Sequence, residues 1–189
     1  MTFYHACLII KSMKNIVLIG MPSSGKSTVG KLLAKKLSYT FCDGDDLIRA
    51  QQNKPLNELI ARHGAEGFIK IEEDVNCSVD FLNTVFATGG SAVYSPRAMA
   101  HLKEIGTIIY LAIGEEEVGR RIPSLELRGV VMRGNVKTVS DLYRERKPLY
   151  EKYADITIDC QNKDAGQISD EIVKMLCAQN HERSEHDEL

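Results

Sequence analysis

The chain has 189 residues, 43% of them hydrophobic and 26% charged, which suits one globular domain with a sizeable core and excludes a disordered or membrane-spanning chain. Its net charge of -2, from 24 Lys and Arg against 26 Asp and Glu, leaves no general basic field of the kind that draws proteins onto nucleic acid, so any cationic site must be local. The five cysteines, Cys7, Cys42, Cys77, Cys160 and Cys177, are odd in number and contain no Cys-x-x-Cys pair, the pattern of reduced thiols in a cytoplasmic protein. His5, His63, His101, His181 and His186 stand at none of the usual ligand spacings, and no structural zinc site is expected.

Residues 1–12 hold a short apolar run at 6–10, but Lys11 follows at once, no basic residue precedes it and no small-residue cleavage site is evident. A secretory signal is therefore not expected. The segment reads as a dispensable extension, with Met13 as an alternative start and the domain proper spanning 13–178. Strands are expected at 16–19, 39–42, 84–87, 107–111 and 155–158, each short and rich in Ile, Val, Leu or Thr. Helices are expected at 26–37, with Val29, Leu32, Leu33 and Leu37 on one face, and at 56–63, 66–82, 96–105, 115–121, 140–153 and 167–178. Helices that separate strands make right-handed crossovers and a parallel sheet, with ligands at the carboxyl ends of the strands. Residues 179–189 read as a charged, solvated tail. Its final His186-Asp187-Glu188-Leu189 has the form of a retention tetrapeptide, taken as coincidental without an entry signal.

The first expected strand runs into Gly20-Met21-Pro22-Ser23-Ser24-Gly25-Lys26-Ser27, which fits the phosphate-binding pattern G-x-x-x-x-G-K-[ST] in its proper strand-loop-helix setting. Glycines let backbone N–H groups wrap a triphosphate, and the helix that starts near Lys26 offers its positive end. Lys26 is expected on the β- and γ-phosphates and the Ser27 hydroxyl on Mg²⁺. Gly20, Ser23, Ser24, Gly25 and Thr28 complete the expected nucleotide contacts.

The second strand ends in Asp43-Gly44-Asp45-Asp46. Such clusters also serve as plain turns or caps, but here a parallel sheet sets them beside the phosphate loop. Asp43 is expected in the metal site, Asp45 as the base for a substrate hydroxyl, and Asp46 as the cap of a helix at Leu47. Gly89-Gly90, directly after the third strand, allows a tight turn with a ligand against the backbone. Arg120-Arg121 ends a helix, where it either satisfies the macrodipole or reaches a nucleobase. Residues 122–139, interrupted by glycine and proline and carrying Arg128 and Arg133, read as a mobile lid. Arg146 precedes Lys147-Pro148-Leu149-Tyr150 on a helix of alternating charge.

These motifs together resemble the shikimate kinases, small P-loop enzymes that phosphorylate a hydroxyl of a cyclic carboxylic acid. The likeness runs from Lys14 to about Leu176 and includes the phosphate loop, Asp43-x-Asp45, Gly89-Gly90, Arg120-Arg121, the lid around Arg128, and Arg146 with its Lys-Pro-Leu-Tyr. It implies a P-loop kinase fold of class α/β, a five-stranded parallel sheet flanked by helices with a mobile lid, and ATP with Mg²⁺ as cofactors. By the same resemblance Lys26, Asp45 and Arg128 are catalytic, Asp43 and Ser27 hold the metal, Arg121 and Arg128 contact ATP, and Arg146 binds the substrate carboxylate. Gly89, Gly90 and Ser91 supply the substrate turn. Two positions depart from the family pattern: Ile69 stands where an arginine follows Phe68, and Ser91 where a third glycine is usual. Both fall at the substrate.

The expected activity is thus ATP-dependent phosphorylation of shikimate to shikimate 3-phosphate. The alternatives are kinase action on another small hydroxylated metabolite, or a nucleotide-binding regulatory homologue without turnover. A guanine-specific switch finds little support, because Asn162-Lys163-Asp164-Ala165 ends in Ala where the base-reading motif has Asp. The expected partner is a small-molecule hydroxyl substrate, with no nucleic acid, no membrane and no second copy of the chain.

Overall fold

The computed structural model describes residues 14–122 and 129–186. In chain order the elements are β1 (Asn15–Ile19), α1 (Lys26–Leu37), β2 (Thr40–Asp43), α2 (Gly44–Gln52), α3 (Leu56–Ser78), β3 (Thr84–Ala87), a 3₁₀ turn (Ala92–Tyr94), α4 (Pro96–Ile105), β4 (Gly106–Ala112), α5 (Glu115–Arg121), α6 (Val139–Tyr153), β5 (Ile156–Asp159) and α7 (Ala165–His186). The five strands form one parallel sheet in the order β2-β3-β1-β4-β5.

A sheet covered on both faces demands continuous apolar strands rather than alternating ones. Every residue of β1 and β3 is accordingly buried, whereas the edge strand β5 alternates buried with exposed. Asn15 is the polar exception at the bottom of the central strand. Its amide donates to the carbonyls of Phe81 at 2.6 Å and Ile105 at 2.9 Å, and its oxygen accepts from the Thr84 amide at 3.1 Å. One buried side chain thereby closes the polar groups of three segments.

The helices differ from expectation in instructive places. α2 begins at Gly44, not Leu47, and its cap is Asp43, whose side chain accepts from the Asp45 amide. Asp46 instead sits in the first turn and pairs with Arg49. The two helices expected at 56–63 and 66–82 run together as α3 with a break at Gly64, where φ is 67°, and end four residues early at Ser78. On α1, Leu32 is exposed while Gly30 and Ala34 face the core. The last helix continues to His186, so residues 179–186, expected as a tail, are helical.

Two apolar clusters result. The main core brackets the sheet, and a smaller one gathers Ile48 of α2, Leu59, Phe68 and Val75 of α3, and Val131 of the lid segment. Residues 1–12 of the expected extension lie outside the described residues. No helix among the described residues is long and apolar enough to cross a membrane.

Candidate active site

β1 delivers the chain to the carboxyl edge of the sheet next to the point where strand order reverses, the usual ligand crevice of an open α/β sheet. At Gly20 φ is +149°, and a Cβ there would stand 2.8 Å from the Leu111 carbonyl of β4, so only glycine lets the strand leave the sheet at this point. Ser23 and Gly25 both adopt positive φ, and α1 starts from Gly25 without a side-chain cap. The first-turn N–H groups of α1 are thus left for an anion.

Lys26 is buried and folds back on the loop, donating to the carbonyls of Gly20 at 2.8 Å and Met21 at 3.0 Å. Burial, aided by the Arg146 charge, pushes its ammonium down to about 8, against the pull of Asp45, Asp43 and Glu72. Phosphate oxygens would supply the negative charge that this ammonium lacks. The Ser27 hydroxyl donates to Asp43 Oδ2 at 2.6 Å, while Asp43 Oδ1 accepts from the Asp45 amide at 3.0 Å. Ser27 and Asp43 present two hard oxygen donors on one wall. Among the described residues no group of three or more His, Cys, Asp or Glu gathers into a full metal cage. That donor set fits Mg²⁺, which keeps waters and takes phosphate oxygens rather than filling its shell from protein.

Asp45, on the first turn of α2, faces the same cavity of about 550 Å³. Burial and the neighbouring Asp43 raise its pKa, with Lys26 and Arg49 pulling it back. The turn after β3 is anchored to β1 because both the amide and hydroxyl of Thr88 donate to the Leu18 carbonyl at 3.1 Å. Tyr150 Oη then donates to the Gly90 carbonyl at 2.7 Å. Arg146 is 1% exposed and is held on several sides. Its Nε donates to Tyr94 Oη at 3.1 Å, its Nη2 to the Val131 carbonyl at 2.6 Å, and its guanidinium lies 4.9 Å from the Tyr94 ring centre. Ser91 donates its hydroxyl to Glu72 Oε2.

The cavity wall includes Ser23, Gly25, Lys26, Ser27 and Thr28 from the loop, Asp43 and Asp45 from the second strand-helix junction, Gly89, Gly90 and Ser91 from the turn, and Arg121 and Arg146. Three expected contacts are not on it. Gly20 acts through its carbonyl, behind the loop; Ser24 is buried beneath it with its hydroxyl unpartnered among the described residues; and Ile69 packs against the smaller apolar cluster. Arg121 reaches the rim, donating to the Ser23 carbonyl at 3.1 Å and to Glu117 at 2.7 Å. Beside it opens a second cavity of about 370 Å³ between α5 and the segment after β5, Cys160 to Lys163. Arg128 lies outside the described residues. From the same lid, Arg133 pairs with Glu66 at 2.8 Å and stacks 4.9 Å from Tyr94.

Sequence reasoning missed Glu72 and Tyr94. Glu72 stands four residues after Phe68, hence on the same helical face, and that phase alone separates it from its neighbours Glu73 and Asp74. Those two pair with Lys70 at the surface.

Comparison with known proteins agrees with this geometry. The family described as shikimate kinase matches residues 22–177. The shikimate kinase of Caldanaerobacter subterraneus subsp. tengcongensis is 35% identical over 164 residues, 86% of this chain and 95% of that one. That of Thiobacillus denitrificans is 37% identical over 147 residues, 77% and 80% of the two chains. Among solved structures, shikimate kinase from Acinetobacter baumannii in complex with shikimate superposes with a TM-score of 0.78 at 26% identity, covering 92% of this chain and 98% of that one. A gluconokinase from Sinorhizobium meliloti, at 18% identity and a TM-score of 0.58 over 92% of this chain and 97% of that one, shares the fold.

Proposed function

This chain belongs to the shikimate kinase family, and from that premise we propose that it transfers the γ-phosphoryl group of ATP to a hydroxyl of shikimate, giving shikimate 3-phosphate and ADP. The observation that carries the reading is one cavity lined by Lys26 of the phosphate loop, Asp45 and Arg146. Phosphoryl transfer needs little covalent help from protein, and most of its acceleration comes from position and charge neutralisation. Lys26 and the N–H groups at the start of α1 bind and orient the β- and γ-phosphates. Ser27 and Asp43 would hold Mg²⁺, which when bound would supply positive charge to the phosphates.

Arg146 takes the acceptor carboxylate. A buried, pre-positioned guanidinium offers a planar fork that matches a carboxylate, and its bonds to Tyr94 and Val131 fix the plane of that fork in advance. Asp45 then receives the hydroxyl proton as the oxygen attacks phosphorus, and its raised pKa makes it the stronger acceptor. The glycine turn brings backbone to the ring of the acceptor. Arg121 at the rim stacks against the nucleobase, which the second cavity would hold. Cys42, Cys77, Cys160 and Cys177 are free thiols, which suits an enzyme of the reducing cytoplasm.

A coupled ADP-release assay at saturating MgATP tests the reading. Shikimate should be phosphorylated well ahead of sugar acids, polyols, hydroxy amino acids and nucleoside monophosphates. Silence with shikimate alongside fast turnover of another hydroxyl compound would overturn the acceptor, and silence with every acceptor would overturn the kinase.

A further inference from the structure

Among the described residues Glu72 is the only buried carboxylate, 1% exposed. Its Oε2 accepts from the Ser91 hydroxyl, and its Oε1 has no hydrogen-bond partner among the described residues. That unpartnered oxygen presses against Gly89 on the spot a Cβ would occupy, and the same spot is 3.0 Å from Asp45 Oδ1. Two carboxylates therefore meet across one glycine, close enough to feel each other's charge. One residue on, the corresponding point over Gly90 is 3.0 Å from Arg146 Nη1. The acceptor turn is wedged between two acids and one guanidinium.

The charges that act on Glu72 come from three other elements: Asp45 of α2, Arg146 of α6 and Lys26 of α1. On its own helix Lys70, Glu73 and Asp74 pair with one another at the surface, and Arg97 of α4 joins Glu73 there. Position 69, just before this turn of helix, contributes an isoleucine to the apolar cluster. Ser91 is thus the hydrogen-bond donor to Glu72, and Arg146 stands as the cation of the acceptor wall.

We propose that Glu72, clamped by Ser91 behind Gly89, is the positioning residue that sets how strongly this site grips an anionic acceptor, admitting a carboxylate-bearing substrate readily when it carries a proton and opposing it when ionised. The inference rests on the reading of shikimate as acceptor. With Glu72 ionised, its charge joins that of Asp45 behind the turn and offsets part of the pull that Arg146 and Lys26 exert on an incoming carboxylate. With Glu72 protonated, that opposition is removed and the carboxylate meets the two cations against Asp45 alone. Burial, with the Asp45 charge, brings Glu72 up to about 7, against the pull of the Ser91 bond, Arg146 and Lys26. The change of grip falls where cells live. Its sign follows from linkage: the acceptor prefers the protonated form, so its KM rises as pH climbs through the Glu72 pKa.

The test is steady-state kinetics with shikimate at saturating MgATP between about pH 6 and pH 8.5, on the wild type, Glu72→Gln and Ser91→Ala. The wild-type KM for shikimate should rise about tenfold across that range, the effect of a like charge appearing beside a bound carboxylate. In Glu72→Gln it should stay low and flat, because the amide keeps the shape and cannot ionise. In Ser91→Ala the rise should move to higher pH, since the lost hydroxyl favoured the ionised form. The KM for ATP should be the same in all three at each pH. A flat wild-type profile, or a rise that survives in Glu72→Gln, overturns the proposal while shikimate turnover stands. Absence of shikimate turnover overturns both it and the acceptor reading. Should Glu72→Gln fail to fold, the direction of the Ser91→Ala shift decides.

Discussion

On the nucleotide side of the cavity nearly every contact comes from one unbroken stretch, Gly20 to Thr28, with Asp43 added from the end of β2. The acceptor side instead collects Asp45 from α2, Glu72 from α3, Gly89 to Ser91 from the turn after β3, and Arg146 from α6. The first is largely a backbone device, a glycine-permitted loop and an uncapped helix start seated on the main core. The second is a side-chain device, resting partly on the small cluster of Ile48, Leu59, Phe68, Val75 and Val131. A loop of backbone amides accepts any triphosphate, while side chains gathered from four places can be exchanged singly. Acceptor preference can therefore change while the phosphate machinery stays.

Four measurements press on this contrast. Lys26→Met should lower kcat on the order of a thousandfold, through loss of charge where the transferred group develops it, with the circular dichroism spectrum unchanged. Activity near that of the wild type would show that the loop carries the phosphate side by backbone alone. Asp45→Asn should cost about a hundredfold in kcat, the scale of general-base catalysis, while ATP binding measured by calorimetry stays within about twofold. Equal losses would erase the boundary between the two sides.

Arg146→Lys should raise the KM for shikimate about ten- to thirtyfold, because an ammonium cannot replace the planar fork held by Tyr94 and Val131. The KM for ATP should hardly move. The smallest effect is a pH dependence on the nucleotide side. Lys26 has a folded-state pKa of about 8, below its ordinary 10.5. The folded protein thus binds fewer protons than the unfolded one between those values. Burial of this ammonium costs stability below pH 8, and that cost is relieved as pH rises towards 10.5. Triphosphate favours the charged form, so the apparent Kd for ATP should weaken about fivefold between pH 8 and pH 9. Lys26→Arg should show no such slope.

The same contrast governs what could be read from sequence. The phosphate loop was legible because its function is written in consecutive residues whose backbone demands, positive φ at Gly25 and close approach at Gly20, only a few residue types meet. The strands were legible to within a residue or so because both faces of β1 and β3 are buried and, after Asn15 and Thr84, their sequences are apolar. The start of α2 was misjudged because Asp43, Asp45 and Asp46 are all able caps, and only the register of β2 decides that Asp43 takes that position. Glu72 was not legible at all. In Ile71-Glu72-Glu73-Asp74 three acids look alike until helical phase turns one of them inward. Ile69 shows the reverse: its place in the pattern pointed to the acceptor, and packing takes it into the apolar cluster instead.

Among the described strands β1 comes first in the chain, and it is the central one in the sheet, paired to β3 on one edge and β4 on the other. During synthesis Ile16 to Ile19 emerge with both edges open, and Asn15 waits for a carbonyl 90 residues downstream. At about 5–20 residues per second that interval lasts roughly five to twenty seconds. An apolar strand with two unpaired edges is a template for pairing with another nascent chain. The demand falls on the cell's chaperones rather than on the folded enzyme, and crowded, rapid expression is the condition under which this chain would lose soluble yield first.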